Sequence, residues 1–137
     1  LAKATPAGVY ELGFWVQWDK GTNKCSVGPT KTGNKALNTP QPTGASIQLG
    51  AKPADKGNTY TVASFHTHPT TEYYPPGWER KVGRSLADRA ADNNDKVTGI
   101  VLDYMPAVSG KIKSGHPKNS KTKIYRSGAE RRPGTAD

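Results

Sequence analysis

The sequence predicts a single α+β domain: strand-rich, with a mixed sheet and one clear helix over residues 85–94. Three observations carry this expectation. A chain of 137 residues is the size of one ordinary domain. Short runs of β-branched and aromatic residues recur between turn-forming clusters. Only 33% of residues are hydrophobic while Gly and Pro number 15 and 11, so the fold is loop-rich with a small core.

The elements follow in order. Residues 1–8 (LAKATPAG) are small and punctuated by Pro and Gly, and read as a linker. The domain proper runs over 9–128. Val9 to Trp18 (VYELGFWVQW) reads as a strand. DKGTNK supplies hairpin-turn chemistry through Asp19 and Gly21, and KCSVGP reads as its partner strand. Residues 30–45 read as a long surface loop, and Ala45 to Leu49 as a further short strand. Tyr60 to Phe65 is a strand that runs directly into His66-Thr67-His68-Pro69. Pro69 and the Pro75-Pro76-Gly77 cluster then force an irregular loop. Ser85 is a natural N-cap, Asp88 falls in the first turn, and Leu86, Ala87, Ala90 and Ala91 suit a helix. Val97 to Tyr104 (VTGIVLDY) is an apolar, central strand. GKIKSG and TKIYRSG are two short strands, and 129–137 reads as a disordered tail. No internal repeat or heptad pattern is visible.

Composition narrows the function classes. No stretch approaches the roughly 18 apolar residues of a membrane span. No charged-then-apolar leader is visible, and a start at Leu1 rather than Met reads as a processed product or a domain excised from something longer. One cysteine, Cys25, excludes an intrachain disulfide and a thiolate-rich zinc cluster, and it reads as a small, partly buried residue. The net charge of +9 draws anionic partners. Its carriers gather in the last third (Lys111, Lys113, Lys118, Lys121, Lys123, Arg126, Arg131, Arg132), among Gly, Ser and Pro, as in a solvated tail.

HTHP is the most informative segment. Side chains two apart on a strand point to one side, so His66 and His68 can reach a single ion. Neutral imidazole is a zinc ligand, and a catalytic zinc takes three protein ligands plus water. Asp88 is placed to supply the third from the helix that follows. Each part also has a bland reading: HxH as two exposed residues at a strand end, and Ser85-x-x-Asp88 as a helix cap.

An acidic residue in an early strand, then HxHP, then SxxD opening a helix, resembles the signature of the JAMM (MPN-type) zinc metallopeptidases. Here it reads Glu11, then His66-Thr67-His68-Pro69, then Ser85-Leu86-Ala87-Asp88, over residues 9 to about 105. The segment from Glu11 to Val16, with its Asp-Lys-Gly turn, further resembles JAMM-like domains at the C-terminal ends of bacterial secreted effectors and polymorphic toxins. The resemblance implies a cytidine-deaminase-like architecture and a Zn2+ bound by His66, His68 and Asp88. It implies Glu11 as general base, passing its proton to the leaving amine, and Ser85 as a hydrogen-bond donor to the oxyanion. It also implies hydrolysis of a peptide or isopeptide bond in a protein or peptide substrate, delivery into a target-cell cytoplasm, and a cognate immunity protein as partner.

One departure from the family pattern is plain. The gap before SxxD is usually several residues, whereas here residues 70–84 intervene, with Tyr73, Tyr74, Trp78, Arg80, Lys81 and Arg84. They read equally as a surface insertion or as a flap contacting substrate. The gap leaves Asp92 as a substitute for Asp88, with Glu72 and Glu79 behind it. Glu11 lies on the strand face opposite Tyr10, Leu12, Phe14 and Val16, which suits either solvent or a site. His116 reads as an exposed loop histidine.

Two other functions compete. A basic, metal-dependent nuclease-type toxin would use the charge and stack bases on Tyr73, Tyr74 and Trp78. A JAMM-fold module without activity would only bind protein. A zinc deaminase is disfavoured, because its paired cysteine ligands are absent.

Overall fold

The computed structural model describes residues 10–34, 47–69, 71, 76–77, 79–105, 111–115 and 121–126. The expected linker 1–8 and tail 129–137 lie outside them, as do Glu72, Tyr73, Tyr74, Trp78 and His116. Eight strands and one helix are described: β1 Leu12–Asp19, β2 Lys24–Val27, β3 Lys31–Thr32, β4 Thr59–Thr67, β5 Glu79–Lys81, α1 Leu86–Asp95, β6 Thr98–Tyr104, β7 Lys111–Lys113 and β8 Thr122–Arg126. The strand-rich α+β expectation holds, with a mixed sheet and one helix.

The main sheet runs β2-β1-β4-β6-β8, with β3 also pairing β1. All its ladders are antiparallel except β4 with β6. A parallel pair needs a crossover, and β5 with α1 provides it. The β1–β2 hairpin turns on Asp19, whose Oδ1 accepts from the amides of Gly21 at 2.8 Å and Thr22 at 3.0 Å.

The register aligns residues of three strands in rows. Trp15 lies opposite Ser64 and Ser64 opposite Gly99; Gly13 lies opposite His66 and His66 opposite Val101. Directly opposed residues share a face. One face of the sheet therefore carries Gly13, Trp15, Ser64, His66, Gly99 and Val101. The other carries the stacked pair Phe14 and Phe65, with ring centroids 4.8 Å apart.

Helix α1 covers the first face, and its alanines are not what seats it, since Ala87, Ala90 and Ala91 are all exposed. Polar contacts do that work. Asp92 Oδ1 accepts from Ser64 Oγ at 2.7 Å, and its other oxygen pairs with Arg84. That ion pair lies directly over Gly99, where a Cβ would meet Asp92 Oδ2 and come 2.6 Å from Arg84 Cζ. Glycine is required there by close approach. The helix ends at Lys96, in the left-handed region at φ 55°, whose amide returns to the Asp92 carbonyl.

The described core is small: Leu12, Trp15, Ala63, Val97, Val101, Tyr104 and Ile112. Buried polar residues rival it: Glu11, Thr61, Ser64, His66, Thr67, Thr71, Asp92 and Asp103. Burying a polar group costs free energy unless it is paired, so this concentration calls for a chemical reason.

Three local expectations need correction. Residues 47–49 form no strand; they are held by Trp15 Nε1 donating to the Leu49 carbonyl at 3.3 Å. The segment 70–84 is not wholly irregular, because β5 pairs β7 there. Cys25 is exposed on β2 rather than partly buried. Among the described residues no helix is long and apolar enough to cross a membrane.

Candidate metal centre

β4 carries His66 to its penultimate position, and His68 follows it in extended backbone, its amide donating to the Leu102 carbonyl at 3.0 Å. The strand period turns both rings toward α1. Their Nε2 atoms lie 3.1 Å apart. Asp88 reaches the same point from the first turn of the helix. Its Oδ1 lies 3.3 Å from His66 Nε2 and its Oδ2 3.5 Å from His68 Nε2. Side-chain exposures are 10, 11 and 19% for His66, His68 and Asp88. The cluster is thus nearly buried, with the carboxylate toward its opening.

The donor set fits a metal ion. Bonds of about 2.0–2.1 Å to a tetrahedral zinc set ligand atoms about 3.3–3.4 Å apart. The Nε2–Nε2 separation of 3.1 Å and the nearest approach of an Asp88 oxygen to each ring, 3.3 and 3.5 Å, are close to that length. A His66, His68 and Asp88 group of this kind could hold a metal ion.

Glu11 immediately precedes β1. Gly13 pairs with His66, and the Leu12 amide donates to Thr67 Oγ1 at 3.0 Å, so the same register brings Glu11 beside His68. Its backbone carbonyl accepts from Gly33 at 2.8 Å. The residue is 8% exposed. Burial pushes its carboxyl up, and the charges of His68 and His66 offset part of that rise. The expectation that Glu11 lies on the face away from Leu12 and Phe14 holds, and that face is the site face rather than solvent.

Ser85 caps the helix as expected. Its Oγ accepts from the Asp88 amide at 3.1 Å, and Asp88 Oδ2 accepts from the Ser85 amide at 2.8 Å. This capping box serves the centre as well as the helix, because it locks the Asp88 rotamer. The cap reading of SxxD therefore holds, and the same atoms place Asp88 at the His66–His68 cluster. Asp92 is engaged by Ser64 and Arg84, one turn away, and does not join the His66–His68–Asp88 group. Glu79 pairs with Lys111 at 3.0 Å on the exposed side of β5.

Sequence reasoning missed Asp103. This carboxylate, on β6, is 1% exposed. Its Oδ2 accepts from His68 Nδ1 at 3.0 Å, and Arg80 binds both of its oxygens at 2.8 Å. The available signal was a lone carboxylate inside the apolar run VTGIVLDY, since a buried charge must have a partner.

Electrostatics bind the cluster. Burial disfavours a charged His68, but the hydrogen bonds to Asp103 and Asp88 outweigh it and raise its pKa to about 9. Burial likewise disfavours charge on Asp88, yet hydrogen bonds from His66 and His68 hold it well below the usual carboxylate range. The centre as a whole attracts positive charge, whether proton or cation.

Beside it lies a cleft of about 350 Å³, lined by Trp15, Leu49, Ser64, His66 and Asp88 among others. It is concave, partly apolar and open to the cluster, as a substrate site requires. Compared with known proteins, the chain matches no family model, no curated protein and no solved structure, so the reading of this centre rests on its own geometry.

Proposed function

We propose that the chain is a zinc-dependent hydrolase of the JAMM kind, cleaving a peptide or isopeptide bond. The observation that carries this is the His66–His68–Asp88 cluster, with the two Nε2 atoms 3.1 Å apart and the two Asp88 oxygens 3.3 and 3.5 Å from His66 and His68, set beside the buried carboxylate of Glu11. A helix-capping cluster has no need of a second, buried carboxylate at its edge; a hydrolytic centre needs a base there.

A zinc ion held by the cluster would supply Lewis acidity and a water of lowered pKa. Glu11 would accept a proton and return it to the leaving amine. Its upward-shifted pKa suits both halves of that task, because the ideal transfer group titrates near the working pH. Ser85 Oγ accepts from the Asp88 amide, which leaves its O–H to donate to a developing oxyanion. The cleft along Trp15 and Leu49 would seat the chain on one side of the scissile bond.

A second reading, a metal-dependent nuclease, draws on the +9 charge and on the exposed basic residues Lys121, Lys123 and Arg126 at edge strand β8. One experiment separates the two. Zinc-loaded protein and its Glu11→Gln variant are incubated with conjugated proteins, peptides, plasmid and RNA. Peptide or isopeptide cleavage that falls at least about a hundredfold in Glu11→Gln supports the proposal. Glu11-dependent cleavage of nucleic acid would replace it with the nuclease reading.

A further inference from the structure

We propose that Arg80 and Asp103 form a positioning clamp for His68, and that β5 serves to deliver that clamp. The inference rests on the metal-centre reading above and adds residues that the reading does not use.

The clamp is built around a saturated carboxylate. Asp103 Oδ2 accepts from His68 Nδ1 at 3.0 Å, Arg80 Nη1 at 2.8 Å and the Gly83 amide at 2.9 Å. Its Oδ1 accepts from Arg80 Nη2 at 2.8 Å and from the Tyr104 amide at 2.7 Å. The side chain of Asp103 has no exposed surface and that of Arg80 is 18% exposed. Arg80 Nη2 also donates to the Pro69 carbonyl at 2.7 Å, one residue past His68. One guanidinium therefore holds both the carboxylate that orients the ring and the backbone that carries it.

Arg80 is held in turn. It is the middle residue of β5 and lies opposite Ile112 of β7, which is fully buried. Thr71 Oγ1 donates to the Lys113 carbonyl at 2.5 Å, and the Gly115 amide donates to Thr71 at 3.0 Å. Gly83, at φ 79°, packs where a Cβ would meet the Tyr125 ring at 2.9 Å. Thr71, Arg80 and Gly83 of this segment thus turn inward, while Glu79 and Lys81 are exposed.

The chemical consequence is a tautomer. A neutral imidazole has one N–H, and donating it from Nδ1 leaves the Nε2 lone pair directed at the point that His66 and Asp88 share. Arginine suits the role because its fork binds both carboxylate oxygens; a lysine cannot.

The test uses zinc affinity, measured by competition with a chromophoric chelator, and the visible spectrum of the cobalt(II)-substituted protein, for wild type, Arg80→Lys and Asp103→Asn. The expected result is a loss of zinc affinity of roughly 10- to 100-fold with an altered cobalt spectrum. Folded variants that bind zinc within twofold of wild type, with the same spectrum, would overturn the clamp. Should both variants fail to fold, long-range 1H–15N spectra of zinc-loaded wild type decide the matter: His68 protonated on Nδ1 supports the clamp, and the opposite tautomer refutes it. A folded wild type that binds no metal would instead remove the metal-centre reading and the clamp with it.

Discussion

His68 joins two kinds of chemistry through one ring. Its Nδ1 meets the buried Asp103 and its Nε2 meets Asp88 and His66. The two carboxylates raise its pKa to about 9 against the cost of burial, so at pH 7 the ring holds a proton that a metal must displace. Zinc uptake is therefore expected to release about one proton per ion from His68, and affinity to rise as pH rises toward 9. Calorimetry in buffers of different ionisation enthalpy measures that release; uptake without it would contradict the charge state given to His68. Residues whose placement is local were readable in advance. Strand period sets His66 against His68, the cap sets Asp88 against Ser85, and alternation sets Glu11 apart from Leu12 and Phe14. Arg80 and Asp103 were not, because their pairing spans 23 positions and forms only when the sheet closes.

At the scale of elements, α1 shows what docks a helix with so few apolar residues. Asp88 and Asp92, one turn apart, both face the sheet, and each finds polar partners on β4. Gly99 of β6 makes room for the Arg84–Asp92 pair above it. Gly99→Ala is expected to cost roughly 1–3 kcal/mol through overpacking. Urea unfolding checks this, and an unchanged midpoint would show that the pair relocates freely. The helix was legible because Ser85 and Asp88 announce its start. β5 was not, since Glu79-Arg80-Lys81 has no strand pattern and is ordered by β7, some thirty residues on. The expected strand Ala45 to Leu49 is absent over its described residues 47–49, where the indole of Trp15 donates to the Leu49 carbonyl.

The whole molecule spends much of its interior on polar groups. Its described core is a handful of apolar side chains, and a comparable set of residues is buried and polar, with Glu11, His66, Thr67 and Asp103 gathered toward the C-terminal ends of β4 and β6. Such an interior is weakly self-sufficient, so a metal that binds only the folded state should add visibly to stability. At a hundredfold excess over Kd the gain is about 2.7 kcal/mol, or roughly 10 °C in Tm for a domain of this size. The fold class was readable from composition and strand spacing. The shared face that gathers Glu11, His66, His68 and Asp88 required the registers of β1, β4 and β6, which no local pattern encodes. The most direct measurement is the zinc content of chelator-stripped, zinc-reloaded protein by native mass spectrometry, with thermal unfolding of the same samples. One zinc per chain with a raised Tm is expected in wild type, and neither in folded His66→Ala. A folded wild type that takes up no metal, or a His66→Ala variant that takes it up equally, would contradict the metal-centre reading.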